Sequence, residues 1–141
     1  MTYRASVALQ SAVYARLRDD PALVALVGDA VFDAMPASPP SGTHVSLGPE
    51  VVRNAGDQTA AGSLHEFVIS ILSGSDEENG GFGRVKEAAA AVATALEDGP
   101  PLELEAGRLA GLWFLRAAAR RVESGAGRRV DLTFRARMDL G

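Results

Sequence analysis

The feature that most constrains the fold is an unbroken alternation of apolar and polar residues near the C-terminal end of the chain. The apolar positions are Val130, Leu132, Phe134, Ala136, Met138 and Leu140, and arginine, aspartate or threonine occupies each position between them. A period of two residues is that of a β-strand with one buried and one solvated face. The sequence therefore predicts a strand over residues 129–140.

The segment before this strand is also rich in β-favouring residues. Arg108 to Glu123 contains the run Leu112-Trp113-Phe114-Leu115, and Ser124-Gly125-Ala126-Gly127 has the composition of a hairpin turn. We predict a long C-terminal β-hairpin. Ala117-Ala118-Ala119 favours helix, so the far end of the first strand of the hairpin is left open.

Two segments have the period of amphipathic helices. Their apolar stripes are Leu9, Ala12, Val13 and Leu17 in the first helix, and Phe82, Val85, Ala89, Val92, Ala93 and Leu96 in the second. Asp20-Pro21 predicts the start of a short helical turn, Ala22 to Val27, which Gly28 closes.

Three further strands are predicted between these helices. They are Ala30 to Phe32, Thr43 to Arg53 with an interruption near Gly48-Pro49, and Leu64 to Leu72. Asn54 to Gly62 and Ser73 to Gly81 are predicted as exposed, mobile loops. Strands without a helix between each pair favour an α+β fold: an antiparallel or mixed β-sheet with two main helices packed on one face.

Length and composition set further bounds. A chain of 141 residues fits a single domain, 1–141, and the absence of cysteine excludes disulfides, thiolate zinc sites and cysteine nucleophiles. The first twenty residues lack a signal-peptide pattern, and we expect no membrane span. A net charge of −4 argues against a protein whose main task is to bind nucleic acid.

The charges are unevenly distributed along the chain. Between Gly74 and Glu105 there are eight acidic residues against two basic ones, whereas from Arg108 to Gly141 eight arginines face three acidic residues. Complementary patches can direct head-to-tail contacts between identical subunits. We therefore predict that Arg116, Arg120, Arg135 and Arg137 form ion pairs between subunits. An ordinary mixed surface and a path for DNA are the alternatives.

Few side chains of the sequence are candidates for catalysis or metal binding. His44, His65, Glu66 and Asp57 are the candidates, but neighbours on a strand such as His65 and Glu66 point to opposite faces and cannot chelate one ion. The run Gly80 to Gly83 lacks the Lys-Ser or Lys-Thr of a phosphate loop. We predict no enzyme activity and no cofactor. A cytosolic binding module or small enzyme that uses the acidic glycine-rich loop 74–83 is the alternative.

Several motifs together resemble a known family. They are Leu9-Gln10-Ser11-Ala12-Val13, the segment from Leu26 to Asp33, Pro36, His44-Val45-Ser46-Leu47-Gly48, and the strand Leu132 to Arg137. In this order they are similar to the phage tail-completion or tail-terminator family, and most similar to the version in gene transfer agents, the phage-like particles of alphaproteobacteria.

The resemblance implies a structural protein of a phage-like particle. It implies a homo-oligomeric, hexameric ring that caps the tail tube protein, ends its polymerisation and joins the tail to the head-tail connector or stopper protein, while DNA passes through without specific recognition. The implied location is the bacterial cytoplasm during assembly and then the tail-head junction of the particle. We assign partner docking to two loops, with Asp57 in the first and Asp76, Glu77 and Glu78 in the second.

Overall fold

The computed structural model describes residues 3–38, 40–74, 82–122 and 127–141. These ranges contain helices α1 (Arg4–Asp19), α2 (Pro21–Val27) and α3 (Gly83–Glu97) and strands β1 (Val31–Phe32), β2 (His44–Asn54), β3 (Gly62–Leu72), β4 (Arg108–Arg121) and β5 (Arg128–Asp139). The strands form one sheet in the order β1-β2-β3-β5-β4, in which β1 is parallel to β2 and every other pair is antiparallel. The predicted α+β class with a mixed sheet is therefore confirmed.

The helices begin and end where local chemistry dictates. The carboxylate of Asp20 accepts a hydrogen bond of 3.0 Å from the amide of Leu23, and Pro21 takes the first position of α2. Gly28 ends α2 with a φ of 62°, which glycine adopts without a Cβ penalty. Within the described residues, no helix combines the length and apolar character needed to cross a lipid bilayer.

The core combines all three helices with alternate side chains of the sheet. Phe67, Ile69 and Ile71 of β3 are buried with the even-numbered residues of β5 from Val130 to Ala136 and with the apolar stripes of α1 and α3. The odd-numbered residues of β5 carry the charges and are mostly half-buried or exposed. The alternation in the sequence therefore marks the two faces of the sheet. We call the face with the odd-numbered residues of β5 the open face.

A β-bulge divides strand β2. Leu47 pairs with Ile69, and the next paired residues are Glu50 and Phe67, so β2 contains one extra residue at Gly48-Pro49. The predicted interruption there is confirmed. Because one extra residue exchanges the faces of all following side chains, the bulge places Glu50 on the core side of the sheet.

Strand β4 forms one edge of the sheet and is largely exposed. It continues through Ala117, Ala118 and Ala119, whose partners are Leu132, Asp131 and Val130. Sheet pairing thus overrides the helical propensity of the three alanines. Two bulges, one between Leu109 and Gly111 and one between Phe114 and Arg116, interrupt its pairing with β5. Residues 124–126 of the turn predicted at Ser124 to Gly127 lie outside the described residues.

Hydrogen bonds organise the connection between β2 and β3. The predicted strand Leu64 to Leu72 in fact begins at Gly62, because Ala55 donates a backbone hydrogen bond of 3.0 Å to the Gly62 carbonyl. Within the connection, Asp57 Oδ1 accepts hydrogen bonds from the amides of Thr59 and Ala60, each 2.8 Å long. The sequence analysis predicted an exposed, mobile loop here and did not include the local turns that aspartate and asparagine close. Residues 75–81 of the second predicted loop lie outside the described residues.

Candidate subunit and partner interface

The four predicted interface arginines lie on one face of the sheet. Arg135 and Arg137 are on the open face of β5, and cross-strand partners share a face. Arg116 pairs with Thr133 and Arg120 pairs with Arg129. The pairing of β4 with β5 therefore brings the side chains of Arg116, Arg120, Arg135 and Arg137 to the open face.

Carboxylates neutralise part of this basic face. Asp131 Oδ1 lies 2.9 Å from Arg129 Nε and accepts a hydrogen bond of 2.6 Å from Ser70 Oγ, and Asp131 Oδ2 lies 3.9 Å from Arg120 Nε. Burial alone would raise the pKa of Asp131. The hydrogen bonds from Ser70 and Arg129 and the charges of Arg129 and Arg120 outweigh burial and hold this pKa below its usual value.

Further ion pairs extend along the same face. Arg135 Nη2 lies 3.7 Å from Glu66 Oε2 of β3, and Arg108 pairs with Asp139 at the other end of β4. Glu66 therefore contacts an arginine and not its neighbour His65, as expected for residues on opposite faces of a strand. Arg116 forms no ion pair with any carboxylate of the described residues, which leaves its charge available to a partner.

Arg137 and Asp57 lie together at the connection between β2 and β3. Arg137 Nη2 donates a hydrogen bond of 3.2 Å to the Ala55 carbonyl. Hydrogen bonds from the Thr59 amide and hydroxyl and from the Ala60 amide lower the pKa of Asp57, and the charge of Arg137 adds to this effect. Asp57 thus shapes the loop that we assign to docking. Asp76, Glu77 and Glu78 lie outside the described residues.

A buried polar network joins α1 to the sheet. His65 Nδ1 lies 3.1 Å from Glu50 Oε2, His65 Nε2 lies 2.7 Å from Ser63 Oγ, and Ser6 Oγ of α1 donates to Glu50 Oε1. Hydrogen bonds thus connect Ser63 to His65 and His65 to Glu50, the same residue types as in the catalytic triad of a serine hydrolase. Ser63 and His65 are 0% exposed, however, so the Ser63 hydroxyl has no path to a substrate.

This network holds α1 against the sheet. Burial alone would raise the pKa of Glu50, but the hydrogen bonds from His65 and Ser6, with the charge of His65, lower it instead. The contact between His65 and Glu50 was not predicted from the sequence. The interruption at Gly48-Pro49 was the available signal. Among the described residues, no group of three or more histidine, aspartate or glutamate side chains is arranged to bind a metal ion.

An exposed apolar cluster on β4 was not among the predicted interface residues. Trp113, Phe114 and Leu115 are 47%, 40% and 38% exposed. The sequence held a signal: the run Leu112 to Leu115 is continuously apolar, whereas an edge strand with one buried face would alternate. Three consecutive large apolar side chains at a sheet edge are typical of a surface that contacts another protein.

The sequence profile of a family described as "Tail completion protein gp17" matches residues 11–139, nearly the whole chain. The chain belongs to the tail completion protein family. The resemblance found in the sequence is thereby confirmed, and it covers α1 to β5.

A solved structure of a virion contains a chain that is similar to this tail completion protein. A chain in the structure titled "Virion of native gene transfer agent (GTA) particle" has 55% sequence identity and a TM-score of 0.87, with 97% of this chain and 98% of that chain covered. No curated protein matches the sequence. Both positive comparisons support a structural tail component of a virion.

Proposed function

We propose that this chain is the tail terminator of a phage-like particle, of the gene transfer agent or long-tailed phage type. In this proposal copies of the chain form a ring, hexameric as in the family it resembles. The ring caps the last ring of the tail tube protein, ends tube growth and offers a surface to the head-tail connector or stopper protein. The supporting observation is the end-to-end similarity to a chain of a gene transfer agent virion.

The arrangement of the fold suits a ring subunit. We propose that the helices cover one face of the sheet and that β4 and β5 form a hairpin, which leaves the charged open face and the β4 edge for contacts. The family membership supports partners in the tail. Arg116, Arg120, Arg135 and Arg137 would serve contacts between neighbouring copies or with tail proteins, and Asp57, Asp76, Glu77 and Glu78 would serve docking in loops 54–62 and 73–83.

DNA would pass through this ring without being recognised by sequence. Several open-face arginines are already paired with Asp131, Glu66 and Asp139, which weakens the positive potential that a phosphate backbone requires. The protein would be made in the bacterial cytoplasm and finish at the tail-head junction of the particle.

The test replaces the gene for this chain in a producing strain with an inactive copy. Electron microscopy should then show tails of uncontrolled length that lack heads, and DNA transfer should be lost. A plasmid with the wild-type gene should restore both. Normal particles from the strain without the chain would refute a tail-terminator role.

A second variant separates ring formation from joining. Deletion of residues 75–80 should leave the chain in rings on tails and reduce the number of tails joined to heads. A matched control removes Ala37 and Ser38, two exposed residues of a connection to which no docking is assigned, and should leave the number of joined particles unchanged. Wild-type numbers of joined particles from the 75–80 deletion would remove that loop from the proposal.

A further inference from the structure

We propose that neighbouring copies join through a knob on β4 of one copy and a groove on the helical side of the next. The knob consists of Trp113, Leu115 and Arg116. The groove lies between the α1–α2 corner and the segment 100–103 that follows α3. This inference rests on the proposed ring and adds to it the surfaces that build the ring.

The knob has the composition of an interface centre. Tryptophan and arginine are the residue types that most often dominate binding energy when a partner buries them. Trp113 and Arg116 share the open face, and Leu115 is the extra residue of the second bulge in β4. Trp113 and Leu115 are therefore exposed close to an arginine that has no carboxylate partner among the described residues, whereas Phe114 packs edge-on against Phe134 on the other face of the sheet.

The edge of β4 is poorly suited to pairing with a strand of another molecule. Two bulges interrupt the strand, and bulges and positive side chains are features by which natural sheets block edge-to-edge pairing. Contact is therefore expected through the side chains of the knob rather than through a new ladder of backbone hydrogen bonds.

A symmetric contact between two β4 strands is also unfavourable. Residues 108–121 contain four arginines and no acidic residue, so two such strands would bring like charges together. The partner surface must instead be acidic, and it must be a different surface of the same chain.

The groove meets both requirements. It has a volume of about 530 Å³, and Pro21, Pro100 and Pro101 supply apolar walls while Asp19, Asp20 and Glu103 supply negative charge. Its arginine, Arg16, is already engaged, because it donates hydrogen bonds of 3.0 Å to the Ala95 carbonyl and 2.7 Å to the Pro100 carbonyl. The apolar walls suit Trp113 and Leu115, and the carboxylates suit Arg116.

The two surfaces belong to different elements of the chain, so the contact is heterologous. Each copy that uses its knob keeps a free groove, and each copy that fills its groove keeps a free knob. A contact of this kind repeats from copy to copy and closes when the rotation per copy divides a full turn. Knob-to-groove docking is therefore sufficient to build a ring.

Cross-linking tests the contact directly because the chain has no cysteine. Particles are assembled with a double variant, Leu115→Cys with Glu103→Cys, and treated with a short bis-maleimide. We expect a ladder of covalent oligomers that ends at one closed ring. The single variants should stay monomeric, as should a double variant that pairs Leu115→Cys with Ala90→Cys, an exposed site on α3.

Exchange of the charges at positions 116 and 103 tests the contact independently, with incorporation into particles as the measurement. Arg116→Glu alone and Glu103→Arg alone should each lower incorporation by about tenfold, the effect of losing roughly one useful ion pair. The combined variant should recover most of the loss. Circular dichroism of each purified variant checks that it folds.

The outcomes separate the contact from the proposed function. The variant with both Leu115→Cys and Glu103→Cys could be present at the tail-head junction and yet stay monomeric after cross-linking. This result would overturn the knob-and-groove contact and leave the tail-terminator role intact. Efficient cross-linking of Leu115→Cys alone would also overturn it, in favour of a symmetric contact. Absence of wild-type chain from the junction would refute the proposed function itself.

Discussion

His65 Nδ1 lies 3.1 Å from Glu50 Oε2, and the two residues meet only because the bulge at Gly48-Pro49 turns Glu50 toward the core. The contact connects a fully buried imidazole to a carboxylate that also receives the Ser6 hydroxyl of α1. One pair therefore anchors the first helix to the second and third strands.

Glu50→Gln should reduce the loss of folding stability that the protein shows as the pH falls. The folded-state pKa of Glu50 lies below its ordinary value of 4.5, so its contribution to stability is present above about that pH and is lost as pH falls through the folded pKa. Urea unfolding from neutral to acid pH should show a steeper decline in the wild type than in the variant. Glu87→Gln, on an exposed site of α3, is the control and should follow the wild type.

Ser63→Ala should destabilise the protein at neutral pH by about 1–3 kcal/mol, because it leaves His65 Nε2 buried without its hydrogen-bond partner. Chemical denaturation measures the change in free energy of unfolding. Ser11→Ala, an exposed position on α1, should change the free energy of unfolding little. An equal effect of the two substitutions would contradict a structural role for the network.

Gly74→Ala and Gly83→Ala should have opposite effects on stability. A Cβ at Gly74 would lie 2.2 Å from the Ser41 carbonyl oxygen, a backbone atom that cannot move aside freely, so we expect a loss of about 1–3 kcal/mol. A Cβ at Gly83 meets nothing within 4 Å, and alanine in the first turn of α3 should add about 0.5–1 kcal/mol. Thermal unfolding of both variants gives the sign of each change.

Trp113 should report assembly through its fluorescence. It is the single tryptophan of the chain and is 47% exposed, so its emission in the free protein should be that of a solvated indole. Burial in a neighbouring copy should shift the emission to shorter wavelength and reduce acrylamide quenching. An unchanged spectrum in assembled rings would place Trp113 outside the subunit contact.

Gly111→Ala is a matched variant for the same measurement. A Cβ at Gly111 would lie 2.5 Å from the indole of Trp113, a side chain that can rotate away. The substitution should therefore reorient the knob with little effect on unfolding and should weaken assembly. Wild-type assembly would show that the orientation of Trp113 is unimportant.

Periodicity was sufficient to predict the two long helices and the faces of β5, and Gly48-Pro49 indicated the break in β2. It placed Arg135 and Arg137 in a strand, and β-favouring composition did so for Arg116, whereas the end of β4 with Arg120 was left open. Strand pairing then brought these arginines to one face. Periodicity did not predict that Glu50 meets His65, since that contact depends on how one extra residue is accommodated in three dimensions. The groove between α1 and residues 100–103 could not be predicted from the sequence either, because Arg16 forms it by hydrogen bonds to carbonyl groups 79 and 84 residues away.

Both edges of the sheet are irregular. One border is the two-residue strand β1 beside the outer side of β2, where Pro49 cannot donate a hydrogen bond, and the other is the fourteen-residue strand β4. Fibrils grow when identical chains stack edge upon edge without limit, which needs two good borders per molecule. Because Pro49 interrupts the outer side of β2 and two bulges interrupt β4, edge-to-edge stacking of identical chains is opposed at both edges.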